Sequence, residues 1–104
     1  MAKGFDPSEL MSQARKMKDQ MAKVQEGLKE RIVEAEAGGG MVKVFVNGGT
    51  EVVGIKIKPE AVDPDDMGML EDLIMVAVNA GIEKANAMSE EEMGKITGGM
   101  GGLF

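Results

Sequence analysis

The chain has 104 residues, a formal net charge of −6, and no His, Cys, Trp or Tyr. That length makes one domain with a modest core. The missing residue types remove the commonest general base, the commonest metal ligand, the thiolate nucleophile and any disulfide, so an enzyme would have to work with carboxylates and lysines alone. We therefore expect no catalytic turnover, no metal, no cofactor and no small-molecule substrate. The N-terminal Met1-Ala2-Lys3-Gly4-Phe5-Asp6 has no apolar core of a signal peptide, and the longest apolar run, Leu73 to Val78, is far short of a membrane span. The expectation is a soluble intracellular protein without a membrane segment. Eleven methionines suit irregular cores and adaptable interfaces.

A first helix is predicted to start at Asp6-Pro7, with Asp6 as cap, Pro7 in the first helical position and Glu9 completing a capping-box-like start. Its apolar positions are Leu10, Ala14, Met17, Met21, Val24 and Leu28, spaced 4, 3, 4, 3, 4. This is a heptad seam spanning only about 80° of the helix, so it predicts packing against one other helix, in the same or another subunit. The opposite face carries Ser12, Arg15, Lys16, Asp19, Lys23 and Glu26. Gly27 weakens the helix near its end.

Arg31 to Ala37 alternates imperfectly and reads as an edge strand with a small apolar face; Gly38-Gly39-Gly40 reads as a flexible connection. Val42, Val44 and Val46 then alternate with Lys43 and Phe45, and Val53, Ile55 and Ile57 with Gly54, Lys56 and Lys58. Two period-2 runs around Asn47-Gly48 predict a hairpin whose turn uses the positive φ that Asn and Gly accept. With the preceding edge strand they make a three-stranded antiparallel meander. Such a sheet is too small to stand alone, so the flanking helices must cover it.

Pro59 ends the third strand. Asp63-Pro64-Asp65-Asp66 repeats the cap-proline-acid grammar, and a second helix is predicted from about Pro64 to Met88 or beyond. The three aspartates read as caps, because a calcium loop needs more ligands at wider spacing. Leu70, Leu73, Ile74, Ala77, Val78, Gly81 and Ala85 form one face, widened by Met69, Val76, Ala80 and Ile82. A helix this apolar is expected to be buried on more than one side, and Gly81 to have a packing reason. Ser89 followed by three glutamates resembles a second cap that restarts or extends the helix toward Ile96. Residues 1–97 read as a single domain, and the glycine-rich 98–104 as a mobile tail.

Charge is polarised along the chain. Residues 1–23 hold five cations (Lys3, Arg15, Lys16, Lys18, Lys23) against Asp6, Glu9 and Asp19, a net of +2. Residues 51–104 hold four lysines against eleven acids, a net of −7. The overall sign opposes nucleic-acid binding, whereas the basic end supports it. A solvated helix face with i,i+4 pairs such as Asp19 and Lys23 would look the same.

The order of motifs resembles a known family. Leu10-Met11-Ser12-Gln13-Ala14-Arg15-Lys16-Met17-Lys18-Asp19-Gln20-Met21 is similar to the Met- and Gln-rich first helix of the YbaB/EbfC family of bacterial nucleoid-associated proteins. Gly40-Met41-Val42-Lys43-Val44 with Asn47-Gly48 resembles its central hairpin, and Leu70-Glu71-Asp72-Leu73-Ile74 with Ala77 and Asn79 its second long helix. The match covers about residues 8–88. The resemblance implies an α+β fold of order α-β-β-β-α, an intertwined homodimer with projecting helices, and DNA binding with little sequence preference in the cytoplasm, at the nucleoid. On that reading Lys3, Arg15, Lys16, Lys18 and Lys23 contact phosphates of double-stranded DNA, with Lys84 and Lys95 as lesser contacts. Gln13 and Gln20 are the weak choices for base reading, and three phenylalanines offer little stacking. The competing function is a non-enzymatic scaffold that binds a partner protein through Met-rich helices.

Overall fold

The structure, a computed structural model, describes residues 6–99. Helix α1 (Pro7–Glu30) leads into strands β1 (Ile32–Ala37), β2 (Val42–Asn47) and β3 (Val52–Ile57), a 3-10 turn (Pro59–Ala61) and helix α2 (Met67–Gly99). The expected α-β-β-β-α order is the observed one. The sheet is antiparallel, in the order β1-β2-β3.

Asp6 starts α1 as expected, its carboxylate accepting from the Ser8 backbone N–H at 3.0 Å and the Ser8 hydroxyl at 2.8 Å. These bonds to the charged form, the hydroxyl's first, hold the Asp6 pKa below its ordinary value. The helix ends at Arg31, which is extended and donates its N–H to the Leu28 carbonyl.

Strand periodicity sorts the sheet into two faces. Val33, Ala35 and Ala37 of β1, Val42, Val44 and Val46 of β2, and Ile55 and Ile57 of β3 share the inner face, as the registers require. Val42, Val44 and Val46 are fully buried, each contributing about 1.5–3 kcal/mol of transfer free energy. They lie under α2, whose Leu70, Ala77, Gly81 and Ala85 are buried. A Cβ on Gly81 would stand 2.7 Å from Val46 Cγ2 and 3.7 Å from the Ala35 Cβ. This close approach is the packing reason expected for Gly81.

α2 spans β1 and β2 but leaves β3 largely uncovered. Its first half covers the sheet, and its second half continues past it to meet the C-terminal half of α1. The result is elongated, 78 × 20 × 16 Å, with a radius of gyration of 20.7 Å. A compact domain of this length would have a radius near ~13 Å. The N-terminal half of α1 therefore does not fold back onto the core.

Four local expectations are corrected. The hairpin turn does not place positive φ at Asn47-Gly48; Thr50 has it, at φ 61°. Asn47 instead organises the turn through its amide, Oδ1 accepting from the Gly49 and Glu51 N–H groups at 2.9 and 3.0 Å. Gly48 is needed for space, since a Cβ there would lie 2.5 Å from the Leu28 carbonyl oxygen. Gly38, Gly39 and Gly40 are not a featureless connection but a turn of three successive positive φ values, 65°, 66° and 92°. The cap of α2 is Asp66, which accepts from the Met69 N–H at 3.2 Å, while Asp63 closes the preceding turn by accepting from the Asp65 N–H. Finally, α2 extends past Ser89, one of the two readings of that cap-like segment, but it remains helical through Gly99, so Gly98 and Gly99 of the expected tail are helical; the remainder of that tail lies outside the described residues.

Gly81 of α2 and Gly27 of α1 should respond oppositely to substitution. Gly81→Ala should destabilise by about 1–3 kcal/mol, because the β-branched, fully buried Val46 has little room to yield. Gly27→Ala meets nothing within 4 Å and should stabilise by about 0.5–1 kcal/mol through helix propensity. Urea unfolding of the two variants checks both signs.

Candidate nucleic-acid interface

The basic residues of α1 occupy the arm that leaves the core. Arg15, Lys16, Lys18 and Lys23 are all exposed. Among the described residues the ion pairs are Arg31–Glu92, Lys95–Glu92 and Lys43–Glu34, so the Asp19–Lys23 pair is not formed. Arg15, Lys16 and Lys23 lie within about 60° of the direction opposite the seam. Their exposure and this direction leave their charges facing solvent along one side of the arm. Lys3 lies outside the described residues.

The two α2 lysines are placed differently. Lys84 Nζ donates to the Glu34 carbonyl oxygen at 2.8 Å, tying α2 to β1. Lys95 Nζ binds Glu92 Oε1 at 3.0 Å. Both ammonium groups have an internal partner that a phosphate would have to replace.

The seam is buried in a gradient. Leu10 and Ala14 are exposed, Met17, Met21 and Val24 are half-buried, and Leu28 is buried. Leu28 sits where the arm joins the sheet: the Gly48 N–H donates to its carbonyl at 2.8 Å and to the Arg31 carbonyl at 3.0 Å. Glu92 braces the same joint from α2, accepting from Arg31 Nη1 at 3.0 Å. Bonds from Lys95 first and Arg31 second keep the Glu92 carboxyl below its ordinary pKa.

Large apolar side chains remain in water. On the inner face of β3, Ile55 is 45% and Ile57 39% exposed. Val62, Met67, Met69, Met75 and Val76 are also exposed, as are Leu10 and Met11 on the arm. Met69 and Val76, expected to widen the buried face of α2, thus lie outside it in the single chain. Among the described residues no three acidic side chains converge as a metal site, and no helix is long and apolar enough to cross a membrane.

Sequence reading missed the lysines of the sheet. Lys43, Lys56 and Lys58 line one cavity, a grouping that strand alternation and the hairpin register would have revealed.

A family model for the YbaB/EbfC DNA-binding family matches residues 3–100. The chain belongs to the YbaB/EbfC DNA-binding family. A nucleoid-associated protein of Acetivibrio thermocellus is 51% identical over 109 aligned positions, covering 99% of this chain and 96% of that one. One from Syntrophobacter fumaroxidans is 50% identical, covering 96% and 88%. One from Chloroflexus aurantiacus is 52% identical, covering 92% and 96%. Among solved structures, the uncharacterized protein HP0035 from Helicobacter pylori superposes with a TM-score of 0.75 at 28% identity, over 84% of this chain and 91% of that one. The family match spans the arm, sheet and α2 together.

The brace at the joint should be sensitive to pH. A carboxylate with a lowered folded-state pKa stabilises above its unfolded pKa, and that stability is lost as pH falls through the folded value. Glu92→Gln should therefore lower the melting temperature modestly near pH 7. The difference from the parent protein should vanish in acid, below the lowered Glu92 pKa. Paired melting curves across the acid range check this.

Proposed function

We propose that this protein is a nucleoid-associated, homodimeric DNA-binding protein that holds phosphates of double-stranded DNA through the basic face of α1, with little sequence preference. The observation that carries the reading is the exposed group Arg15, Lys16, Lys18 and Lys23, free of ion pairs on the arm of a chain in a DNA-binding family. Lysine and arginine on phosphate release counterions, so binding is strong at low salt and carries little sequence information. Lys3 joins this set on our reading; Lys84 and Lys95 are secondary because each is already bonded.

Dimerisation is supported by the uncovered apolar surface. Ile55 and Ile57 continue the core's inner face beyond the edge of α2, and the seam runs out along the arm at Leu10 and Ala14. A second copy would remove this surface from water and present each basic face twice, converting weak contacts into a bivalent one. We place the protein in the cytoplasm at the nucleoid, with effects on nucleoid organisation and gene expression, and assign it no catalytic step and no cofactor.

Three experiments test the reading. Arg15, Lys16 and Lys23 changed together to Glu should leave the dimer folded, weaken binding to all DNA sequences alike, and flatten the salt dependence by about one per lost phosphate contact. Unchanged affinity in the folded variant would favour the scaffold reading instead. Met17 and Met21 changed to Glu should weaken assembly or folding, since charge enters the half-buried seam. A monomer mass for the parent protein at micromolar concentration, by sedimentation, would refute the dimer.

A further inference from the structure

The outer face of the sheet carries a charge arrangement that the arm does not account for. Lys43 and Lys56 are directly opposed Cα partners on β2 and β3. Like charges opposite one another destabilise a sheet. Lys58 follows Lys56 at the next position on the same side, where β3 ends. The three lysines, with Gly40, Ile57 and Pro59, line a cavity of about 430 Å³ that has no acidic residue in its lining.

The offsetting charges sit to one side. Lys43 has a carboxylate partner, Glu34 on β1, at 3.3 Å, and Glu36 on the same strand is the Cα partner of Lys43. Neither Lys56 nor Lys58 has an acidic partner among the described ion pairs. The Lys56 ammonium instead stands 5.8 Å from the centre of the Phe45 ring. Gly54 opposite Phe45 leaves room for that ring, since a Cβ there would come within 3.3 Å of Phe45 Cδ2. The face therefore runs from acids on β1 to unpaired lysines on β3.

We propose that Lys43, Lys56 and Lys58 form a second phosphate-binding site, on the outer face of the sheet, which takes the DNA backbone in addition to the arm. This rests on the DNA-binding reading for its natural ligand but not for its chemistry. A phosphate brings the negative charge and acceptor oxygens that the three lysines lining this cavity lack, and relieves the Lys43–Lys56 repulsion. Glu34 tempers the site by holding Lys43.

The test uses the full chain and fluorescence anisotropy with a labelled duplex across a salt series. Lys56→Gln with Lys58→Gln, both exposed positions, should leave the circular dichroism unchanged and flatten the salt slope by about 0.9 for each lost contact. Glu34→Gln should tighten binding more than Glu83→Gln, which removes the same charge from exposed α2. If the parent protein binds DNA and the double variant keeps its affinity and slope, the site is overturned while the arm reading stands. If the parent protein binds no DNA, the arm reading fails, and inorganic tripolyphosphate titrated into labelled protein decides the site separately. Amide shifts confined to Gly40, Lys43, Lys56 and Lys58, and lost in the double variant, would support it; their absence would overturn it.

Discussion

The architecture depends on how closely α2 approaches the sheet. Three small residues, Ala77, Gly81 and Ala85, are buried along one side of the helix, and the absent side chain of Gly81 lets its backbone settle against Val46. This contact keeps Val42, Val44 and Val46 dry. A three-stranded sheet has no second layer of its own, so its stability rests on this helix. Because α2 is seated so tightly on β1 and β2, β3 stays uncovered and the rest of the helix is directed beyond the sheet. There it supplies the platform on which α1 is braced.

The joint between α1 and the body is built from backbone more than side chains. Gly48 brings the hairpin turn against the last turn of α1, and its N–H is shared between the Leu28 and Arg31 carbonyls. Arg31, Lys95 and Glu92 add an exposed charge network, which sets direction more than it adds stability. From that joint the arm runs outward with its apolar seam progressively exposed. The same geometry that frees the basic face leaves Leu10 and Ala14 in water. The exposed basic face and the exposed apolar seam thus arise from one feature, a helix longer than the core it is attached to.

Much of the fold was legible because its periodicities differ sharply. The heptad spacing from Leu10 to Leu28, the alternation of Val42 to Val46 and Val53 to Ile57, and the apolar face from Leu70 to Ala85 each mark a single element type. The misplaced details are those where tertiary contact overrides local grammar. Asn47-Gly48 looked like a positive-φ turn, but Gly48 is there to clear Leu28, and Asn47 to satisfy two N–H groups. Asp63 and Asp66 both suit a cap, and only the turn between them decides in favour of Asp66. Of the site, the arm's cations were readable as a helix face. The meeting of Lys43, Lys56 and Lys58 follows from the hairpin register, whereas the engagement of Lys84 with the Glu34 carbonyl was not legible, because it depends on how α2 is brought onto β1.

An acidic chain that binds a polyanion must concentrate its cations locally, and on the proposed reading the unpaired lysines and arginine of the arm fill that role. Lysine acetylation, read by mass spectrometry on the protein with and without duplex DNA, tests this most directly. Lys16, Lys18 and Lys23 should be protected by DNA, and to a greater degree than Lys84, which is already bonded to the Glu34 carbonyl. Equal reactivity of Lys16, Lys18 and Lys23 with and without saturating DNA would contradict the account.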